Sequence, residues 1–208
     1  PIDHSLSPKL HNFWIKANNL NAIYEKKKLN ENELGNLFME MKKNNIYGIN
    51  VTVPFKKTVI PFLDHLSFES ESTQSVNTIF LNDNKLVGHN TDIEGFEKSV
   101  QELKFDTKNK KVLLLGAGGV VPSIIYALNK MKVSEIIISN RTKTKAENLK
   151  DLFKNIKIVG WGEIPEFDII INATSIGLKN EDKMNLDFSK VGKNKFFYDV
   201  IYKPKETN

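Results

Sequence analysis

The chain has 208 residues, of which 40% are hydrophobic and 26% are charged, so it can bury a substantial core and is not broadly disordered. It contains no cysteine, which excludes disulfides, thiolate metal sites and cysteine nucleophiles and fits a cytoplasmic protein. The net charge of +5 comes from lysines spread along the chain, so we expect no nucleic-acid interface. An uncharged stretch at residues 112–128 is interrupted by glycines and a proline and is too short to span a membrane.

The sequence before residue 106 alternates short helical and extended patterns. Ser7 and Pro8 are typical of a helix start, with the Ser7 hydroxyl as the cap and the proline in the first turn. Apolar residues then recur at helical spacing through Leu20, so we expect this helix to bury Phe13 and Trp14 in the core. We further predict a strand over residues 22–26, a helix that buries Leu34, Leu37, Phe38 and Met41, a strand over residues 46–53, and a helix start at Pro54.

Two further elements complete this first half of the chain. Residues 75–81 and 85–87 flank the turn sequence Asn82-Asp83-Asn84 and predict a β-hairpin. Residues 92–103 have the periodicity of a helix that could lead into the second half of the chain. The residues of this helix that we expect to face inward are Phe96, Val100 and Leu103.

The pattern changes after a polar stretch at residues 106–110, where we place a domain boundary. Beyond it the extended segments become short, unbroken apolar runs, and the first two are each followed by a helical pattern. Such runs are typical of buried parallel strands, so we expect one α/β domain over residues 1–105 and a Rossmann-like, doubly wound α/β domain over residues 106–208. The predicted strands cover residues 112–115, 136–139, 156–159, 168–171 and 196–200.

A glycine-rich segment, Gly116-Ala117-Gly118-Gly119, directly follows the first of these strands and precedes a helical pattern. Its glycines permit a tight turn and a close approach of the backbone to a pyrophosphate, which the helix N-terminus also attracts. Val121 stands where a third glycine or alanine is common, and we expect it to loosen the packing of the helix on the strand. The segment predicts a dinucleotide-binding loop.

The second apolar strand ends in Asn140-Arg141-Thr142, and Lys145 follows one turn later. Arg141 is the only arginine among the 30 basic residues. An acidic residue at this place usually binds the ribose 2′-hydroxyl of NAD, whereas an arginine accommodates the 2′-phosphate of NADP. Because a carboxylate is absent and cations are present, the sequence predicts NADP as the cofactor.

Polar clusters in the first half of the chain lie where an element meets a loop, so that their side chains could converge on one cleft. The hydroxyls of Ser5 and Ser7, beside the amides of a helix start, suit a carboxylate. Lys56, Asn77 and Asp92 offer a cation, an amide and a carboxylate, which suit the hydroxyl groups of a sugar-like molecule. The clusters cover residues 5–8, 50–56, 75–78 and 88–92.

Taken in order, these strings resemble the shikimate dehydrogenase family. The resemblance implies a two-domain α/β protein, with an N-terminal substrate domain and a Rossmann-like NADP-binding domain. It also implies the reversible, NADP-dependent reduction of 3-dehydroshikimate to shikimate. The matching strings are P-I-D-H-S-L-S-P at 1–8, N-V-T-V-P-F-K at 50–56, V-N-T at 76–78, N-T-D at 90–92, G-A-G-G at 116–119, N-R-T at 140–142, N-A-T-S-I-G at 172–177 and D-V-I-Y at 199–202.

The resemblance also assigns roles to individual residues. Lys56 and Asp92 would be the catalytic pair, and no metal is expected. The partner would be a small-molecule substrate, with no membrane and no nucleic acid, and the protein would be a cytoplasmic monomer or homodimer. The substrate would be held by Ser5, Ser7, Thr52, Asn77 and Tyr202, with His4 a candidate for lining the cleft. NADP would be held by Gly116, Ala117, Gly118, Gly119, Asn140, Arg141, Thr142, Lys145 and Thr174.

Two other functions remain open at this stage. A quinate dehydrogenase would share the fold but tend to accept NAD, whereas the serine pair disfavours the related reductases of amino acids or folates. A non-catalytic sensor of the metabolite or nucleotide would be expected to have lost Lys56 or Asp92, and both are present. Gln74 and Leu178 depart from the family pattern and are expected to alter specificity. The family pattern also has a strand before residue 1 and helices after residue 202, so we expect a fragment cut at both ends.

Overall fold

The computed structural model describes residues 2, 5–179 and 181–202, which form two β-sheets with flanking helices. His4 lies outside the described residues. The helices are α1 (Ser7–Ala17), α2 (Leu34–Lys42), α3 (Phe68–Thr73), α4 (Asp92–Glu102), α5 (Val121–Lys130) and α6 (Lys143–Glu147). The strands are β1 (Gly48–Asn50), β2 (His65–Leu66), β3 (Thr78–Asn82), β4 (Lys85–His89), β5 (Lys111–Leu115), β6 (Glu135–Ser139), β7 (Ile156–Val159), β8 (Ile169–Asn172) and β9 (Phe196–Asp199).

The first sheet has the strand order β1-β3-β4-β2 and is antiparallel except for the β2–β4 pair. The predicted hairpin is confirmed as β3 and β4, and its turn places Asp83 and Asn84 at φ angles of 47° and 60°. Two consecutive left-handed residues match the twist of the flanking strands. The predicted helix at α2 is also confirmed, and Leu34, Phe38 and Met41 pack in one cluster with buried residues of the first sheet.

Helix α1 forms where it was predicted, but the expectation that it buries an apolar face is wrong. None of its residues is buried, and Phe13 and Trp14 are 68% and 48% exposed. Helical periodicity shows which side chains share a face but not what lies opposite that face. The cap also differs, because Leu6 is the N-cap residue and the Ser7 amide donates to Oγ of Ser5 at 3.3 Å.

Three further expectations about the first half of the chain are corrected. Residues 22–26 form no strand, because the backbone of Tyr24 makes hydrogen bonds with the side chain of Asn12 instead of with a neighbouring strand. The strand predicted over residues 46–53 is limited to β1, and turns follow Pro54 where a helix was expected. Leu103 follows the last residue of α4 and is 56% exposed instead of inward-facing.

The second sheet is parallel throughout, with the strand order β7-β6-β5-β8-β9, which confirms the predicted Rossmann-like arrangement. Helices α5 and α6 cover one face of this sheet. The other face packs against loop residues between 159 and 191 that include Phe167, and the described part of these connections contains no helix. Because the connections cross on both faces, the strand order reverses between β5 and β8. Parallel sheets of this type bind ligands at such a reversal.

Helix α4 joins the two halves of the molecule. Its buried residues Ile93, Phe96 and Val100 pack in the core of the second sheet, together with α5. The boundary between residues 105 and 106 stays a prediction, and the packing of α4 ties the end of the first unit to the second. Within the described residues, no helix has the length and apolar character that crossing a membrane requires.

We predict that the core of the second sheet contributes far more stability per leucine than the end of α4. Leu114 is fully buried in β5, and Leu114→Ala should lower the free energy of unfolding by about 2–5 kcal/mol through lost packing and a cavity. The matched Leu103→Ala variant should change it by less than about 0.5 kcal/mol. Urea unfolding of both variants measures the difference, and equal losses would contradict the burial described for these two leucines.

Candidate functional site

The carboxyl ends of the five parallel strands open onto one cavity of about 470 Å³. The glycine-rich loop after β5 lies at its centre, and the segments after β6 and β7 line one half. The segments after β8 and β9 line the other half, and Lys56 also lines the cavity. The sequence-predicted residues that line the cavity are Lys56, Gly116, Ala117, Gly118, Gly119, Asn140, Arg141, Thr142, Lys145, Thr174 and Tyr202.

The geometry of the loop after β5 explains its glycines. Gly116 has a φ angle of +111°, and a Cβ at this position would lie 2.7 Å from the carbonyl oxygen of Ala173. A Cβ at Gly118 would meet no protein atom within 4 Å, so this glycine leaves its backbone open toward the cavity. Val121 is fully buried at the start of α5, so the expectation that it loosens the helix packing is wrong.

The segment after β6 supplies two basic and two polar residues to the cavity. Asn140 donates a hydrogen bond from its amide to the Thr142 carbonyl oxygen at 2.8 Å, which fixes the turn into α6. Arg141 and Lys145 line the cavity and are exposed to solvent, so both cations are free of the desolvation cost of a buried charge. Two cations at the start of a helix suit a phosphate group better than they suit an empty helix end.

A hydrogen-bond network fixes the two segments at the other half of the cavity. Oδ1 of Asn172 accepts hydrogen bonds from the Thr174 amide at 3.0 Å and the Thr174 hydroxyl at 2.7 Å. Nδ2 of Asn172 donates to Asp199 at 3.0 Å, and Asp199 in turn accepts from the Ile201 amide at 2.8 Å. The loops that carry Thr174 and Tyr202 are therefore held by side chains at the ends of adjacent strands.

Lys56 and Asp92 form an ion pair beside this cavity. Nζ of Lys56 lies 2.6 Å from Oδ2 of Asp92, and the two side chains are only 12% and 23% exposed. The other carboxylate oxygen accepts a hydrogen bond from Nδ2 of Asn77 at 2.9 Å. A Cβ at Gly119 would lie 3.9 Å from Cδ of Lys56, so the predicted catalytic pair directly adjoins the glycine loop.

Asn90 is a buried residue that connects the ion pair to the second half of the molecule. Its Nδ2 lies within hydrogen-bonding distance of the Ser75 carbonyl oxygen at 3.0 Å and the Ser123 hydroxyl of α5 at 2.9 Å. Its Oδ1 accepts a hydrogen bond from the Asp92 amide at 3.1 Å. A single side chain thus holds the backbone of Asp92 against helix α5.

A chain of hydrogen bonds runs from the ion pair toward α1. Asn77 accepts from the Thr78 hydroxyl at 3.0 Å, and that hydroxyl accepts from Nδ2 of Asn50 at 3.2 Å. Oδ1 of Asn50 accepts from the Tyr24 hydroxyl at 2.9 Å. Burial raises the pKa of Tyr24, and a hydrogen bond with Ser7 partly opposes that rise, so this phenol keeps its proton at neutral pH.

This network brings most of the predicted substrate residues into one connected group. Asn77 and Asp92 are in direct contact, and Ser7 joins them through Tyr24 and the residues between. Ser5 contacts Ser7, whereas Thr52 is exposed on the turn after β1. The roles of all the predicted site residues stay predictions. Among the described residues, no group of histidine, cysteine, aspartate and glutamate side chains could hold a metal ion.

Comparison with known proteins agrees with this arrangement. Residues 1–79 match the family model described as the shikimate dehydrogenase substrate binding domain. Residues 98–201 match the family model described as shikimate / quinate 5-dehydrogenase. The chain belongs to the shikimate dehydrogenase family. Lys56 lies in the first matched region and the glycine loop in the second, while Asp92 lies on the segment between them.

Individual relatives of this family cover nearly the whole chain. It is 58% identical over 208 residues to the shikimate dehydrogenase (NADP(+)) of Pelagibacter ubique (strain HTCC1062), covering all of this chain and 78% of that protein. The crystal structure of shikimate dehydrogenase from Aquifex aeolicus superimposes with a TM-score of 0.90 at 40% identity, covering 98% of this chain and 76% of the other. The Thermus thermophilus enzyme, solved with NADP(H) and shikimate, gives a TM-score of 0.86 at 29% identity over 98% and 77% of the two chains.

Sequence reasoning missed several residues that the structure places at the site. Tyr24 acts through a partner 26 positions away in the chain, so no local pattern signals it. Asn90 lies in the noted string at 90–92, but its contact with Ser123, 33 positions away, does not follow from that string. Asn172 and Asp199 lie in the motifs that were noted, but their mutual hydrogen bond requires β8 and β9 to be neighbours. Trp161 lies in none of the noted motifs, and it lines the cavity.

Two glycines of the loop should respond differently to alanine. Gly116→Ala combines an unfavourable φ angle with an overlap against Ala173, so it should lower the free energy of unfolding by about 1–3 kcal/mol. Gly118→Ala should leave stability within about 0.5 kcal/mol of the parent, because its Cβ enters open space. It should nevertheless weaken NADP binding about tenfold or more, by keeping the pyrophosphate away from the backbone. Thermal unfolding measures the stability of both variants, and calorimetric titration measures their affinity for NADP. An unchanged NADP affinity in Gly118→Ala would contradict a close approach of the pyrophosphate to this loop.

Proposed function

We propose that this chain functions as an NADP-dependent shikimate dehydrogenase, which reduces 3-dehydroshikimate reversibly to shikimate. The observation that carries the proposal is the position of the Lys56–Asp92 ion pair directly beside the glycine loop. A proton-donating pair and a dinucleotide cradle that share one cavity are what a carbonyl reduction by a nicotinamide cofactor requires. The 58% identity to the Pelagibacter ubique shikimate dehydrogenase supports the same reaction.

The residues of the cavity fit NADP. Gly116, Gly118 and Gly119 would cradle the pyrophosphate at the start of α5, where the free backbone amides favour an anion. Arg141 and Lys145, with Asn140 and Thr142, would hold the 2′-phosphate. Ala117 lies in the same loop, and Thr174 would lie at the nicotinamide end. Bound NADPH supplies the hydride for the reduction.

Lys56 would stabilise and then protonate the negative charge that develops on the substrate oxygen. A carbonyl that accepts a hydride becomes an alkoxide, which must be stabilised and then protonated. An ammonium group at Nζ of Lys56 can donate that proton, and it can stabilise the negative charge before the transfer. Asp92 holds this ammonium at 2.6 Å, while Asn77 fixes the second carboxylate oxygen so that the pair cannot rotate freely.

The substrate would lie between the ion pair and the start of α1. The hydroxyls of Ser5 and Ser7, at the start of α1, suit its carboxylate. Asn77 and Thr52 would hold ring hydroxyls, and Tyr202, which is 69% exposed at the cavity edge, would close over the ring. We further propose a cytoplasmic location, which the absence of cysteine supports, and a monomeric or homodimeric state.

We predict that Lys56→Ala lowers the rate of NADP reduction by shikimate about 10²- to 10⁴-fold, because the alkoxide loses its proton donor and its stabilising charge. The rise in absorbance of the nicotinamide band measures this rate on the purified protein. Lys57→Ala is the matched control, since Lys57 is exposed and does not line the cavity. NADP binding should survive in both variants. Turnover by Lys56→Ala at the parent rate would refute the assignment, and a parent protein that binds NADP without turnover would favour a sensor.

We also predict that Arg141 sets the preference for NADP over NAD. Arg141→Ala should raise KM for NADP about 10- to 100-fold, because a charge-assisted contact to the 2′-phosphate is lost, while KM for NAD should change little. Lys143→Ala serves as the control, since Lys143 is an exposed cation two residues further along the chain that pairs with Glu147, and neither residue of that pair lines the cavity. Steady-state kinetics with both cofactors gives the ratio. An equal rise in both KM values would show that Arg141 does not contact the 2′-phosphate.

A further inference from the structure

Trp161 lines the half of the cavity that contains Arg141 and Lys145. None of the residues proposed above to bind NADP in that half is aromatic. Trp161 follows β7 and is partly buried. It also packs against the hydrophobic cluster that contains Phe167, on the face of the sheet opposite α5 and α6. Among the described residues that line the cavity, the other aromatic side chain is that of Tyr202, which follows β9 on the far side of the glycine loop.

Hydrogen bonds fix the turn that carries Trp161 to the end of β6. Ser139 is in register with Val159, and its hydroxyl donates to the Gly160 carbonyl oxygen at 3.0 Å. The Gly160 amide donates to the Glu163 carboxylate at 2.9 Å, and the Glu163 amide returns a bond to the Gly160 carbonyl at 3.2 Å. Since β6 and β7 are adjacent and parallel, Arg141 and Trp161 each lie two residues beyond this registered pair, at the same edge of the sheet.

The strand order determines which part of a dinucleotide reaches Trp161. The pyrophosphate belongs at the central glycine loop, with Arg141 and Lys145 after β6 on one side of it and Thr174 after β8 on the other. The adenosine half must then lie on the side of β6 and β7, with its 2′-phosphate at Arg141. The base attached to that ribose has a flat π face, and aromatic side chains such as indole stack on such a face.

We propose that Trp161 is the stacking surface for the adenine base of NADP, an inference that rests on the proposed NADP-dependent function. The turn of residues 160–163 presents the indole at the cavity, and packing on the hydrophobic cluster supports it from behind. Arg141 and Trp161 then divide the recognition of the adenosine half. The arginine selects the 2′-phosphate, while the tryptophan contributes affinity for any adenine dinucleotide.

The first experiment uses the intrinsic fluorescence of the two tryptophans, Trp14 and Trp161. The Trp14→Phe variant leaves Trp161 as the only indole and should keep full activity, because Trp14 lies on α1 away from the cavity. Adenosine 2′,5′-bisphosphate should quench the remaining emission in a saturable way, because the base stacks on the ring. Nicotinamide mononucleotide should leave the emission unchanged, because it occupies the other half of the cavity.

The second experiment separates stacking from packing. Calorimetric titration with adenosine 2′,5′-bisphosphate should show about 5- to 100-fold weaker binding for Trp161→Ala, since removal of one base–aromatic stack has an effect of this size. Trp161→Leu, which keeps apolar bulk but no aromatic ring, should lose nearly as much, and Trp161→Phe should recover most of the affinity. The Ala and Leu variants should raise KM for NADP and leave kcat at saturating cofactor unchanged, which a general loss of structure would not do.

The outcomes distinguish this inference from the proposed function. Wild-type turnover with NADP, together with unchanged binding of adenosine 2′,5′-bisphosphate by Trp161→Ala, would overturn the stacking role alone. Equal affinity in Trp161→Leu and the parent would also overturn it, because bulk and not the ring would then suffice. A parent protein that binds neither adenosine 2′,5′-bisphosphate nor NADP would refute the stacking role and the proposed function together.

Discussion

The ion pair between Lys56 and Asp92 is the contact on which the two halves of the molecule depend. Lys56 lies after β1 in the first unit, and Asp92 is the first residue of α4, which packs in the core of the second. Both side chains are mostly shielded from water, so their mutual attraction is strong, and either charge without its partner would be costly. The helix dipole of α4 adds a favourable field for the carboxylate at its N-terminus. The pair therefore fixes where the substrate unit meets the cofactor unit.

The glycine loop is held in place by contacts from both units. Gly116 has a positive φ angle, and the Ala173 backbone at the end of the neighbouring strand leaves no room for a side chain at this position. The loop then runs past Lys56, and the Ser75 hydroxyl donates to the Gly119 carbonyl oxygen at 3.4 Å. A loop held on both sides can present its backbone amides to a pyrophosphate without first becoming ordered. Because the loop is already ordered, less of the free energy of cofactor binding is lost in ordering it.

The parts of the fold that were predicted correctly are those in which local pattern and tertiary environment agree. The three central strands of the parallel sheet, β6, β5 and β8, are buried on both faces, so their apolar runs are unbroken and easily recognised. The face of α1 that contains Phe13 and Trp14 has the same helical period as a buried helix, yet it is exposed. The prediction that Leu103 faces inward is wrong for a related reason, because this residue lies just past the last turn of α4. Periodicity measures amphipathicity, and the choice between core and surface is made by contacts that are distant in the sequence.

In the site, too, local sequence patterns identified some side chains and not the contacts between residues that are distant in the sequence. Motif positions such as Lys56 and Arg141 were identified because their chemistry is local, whereas the contact of Asn90 with helix α5 joins residues 33 positions apart. Asn90 is held by acceptors from Ser75 and from Ser123 of α5, and it accepts in turn from the Asp92 amide. Because α5 begins after the glycine loop, one buried amide side chain links the start of that helix to Asp92. A buried polar group that satisfies partners from both units specifies one relative arrangement, since any other would leave its hydrogen bonds unmade.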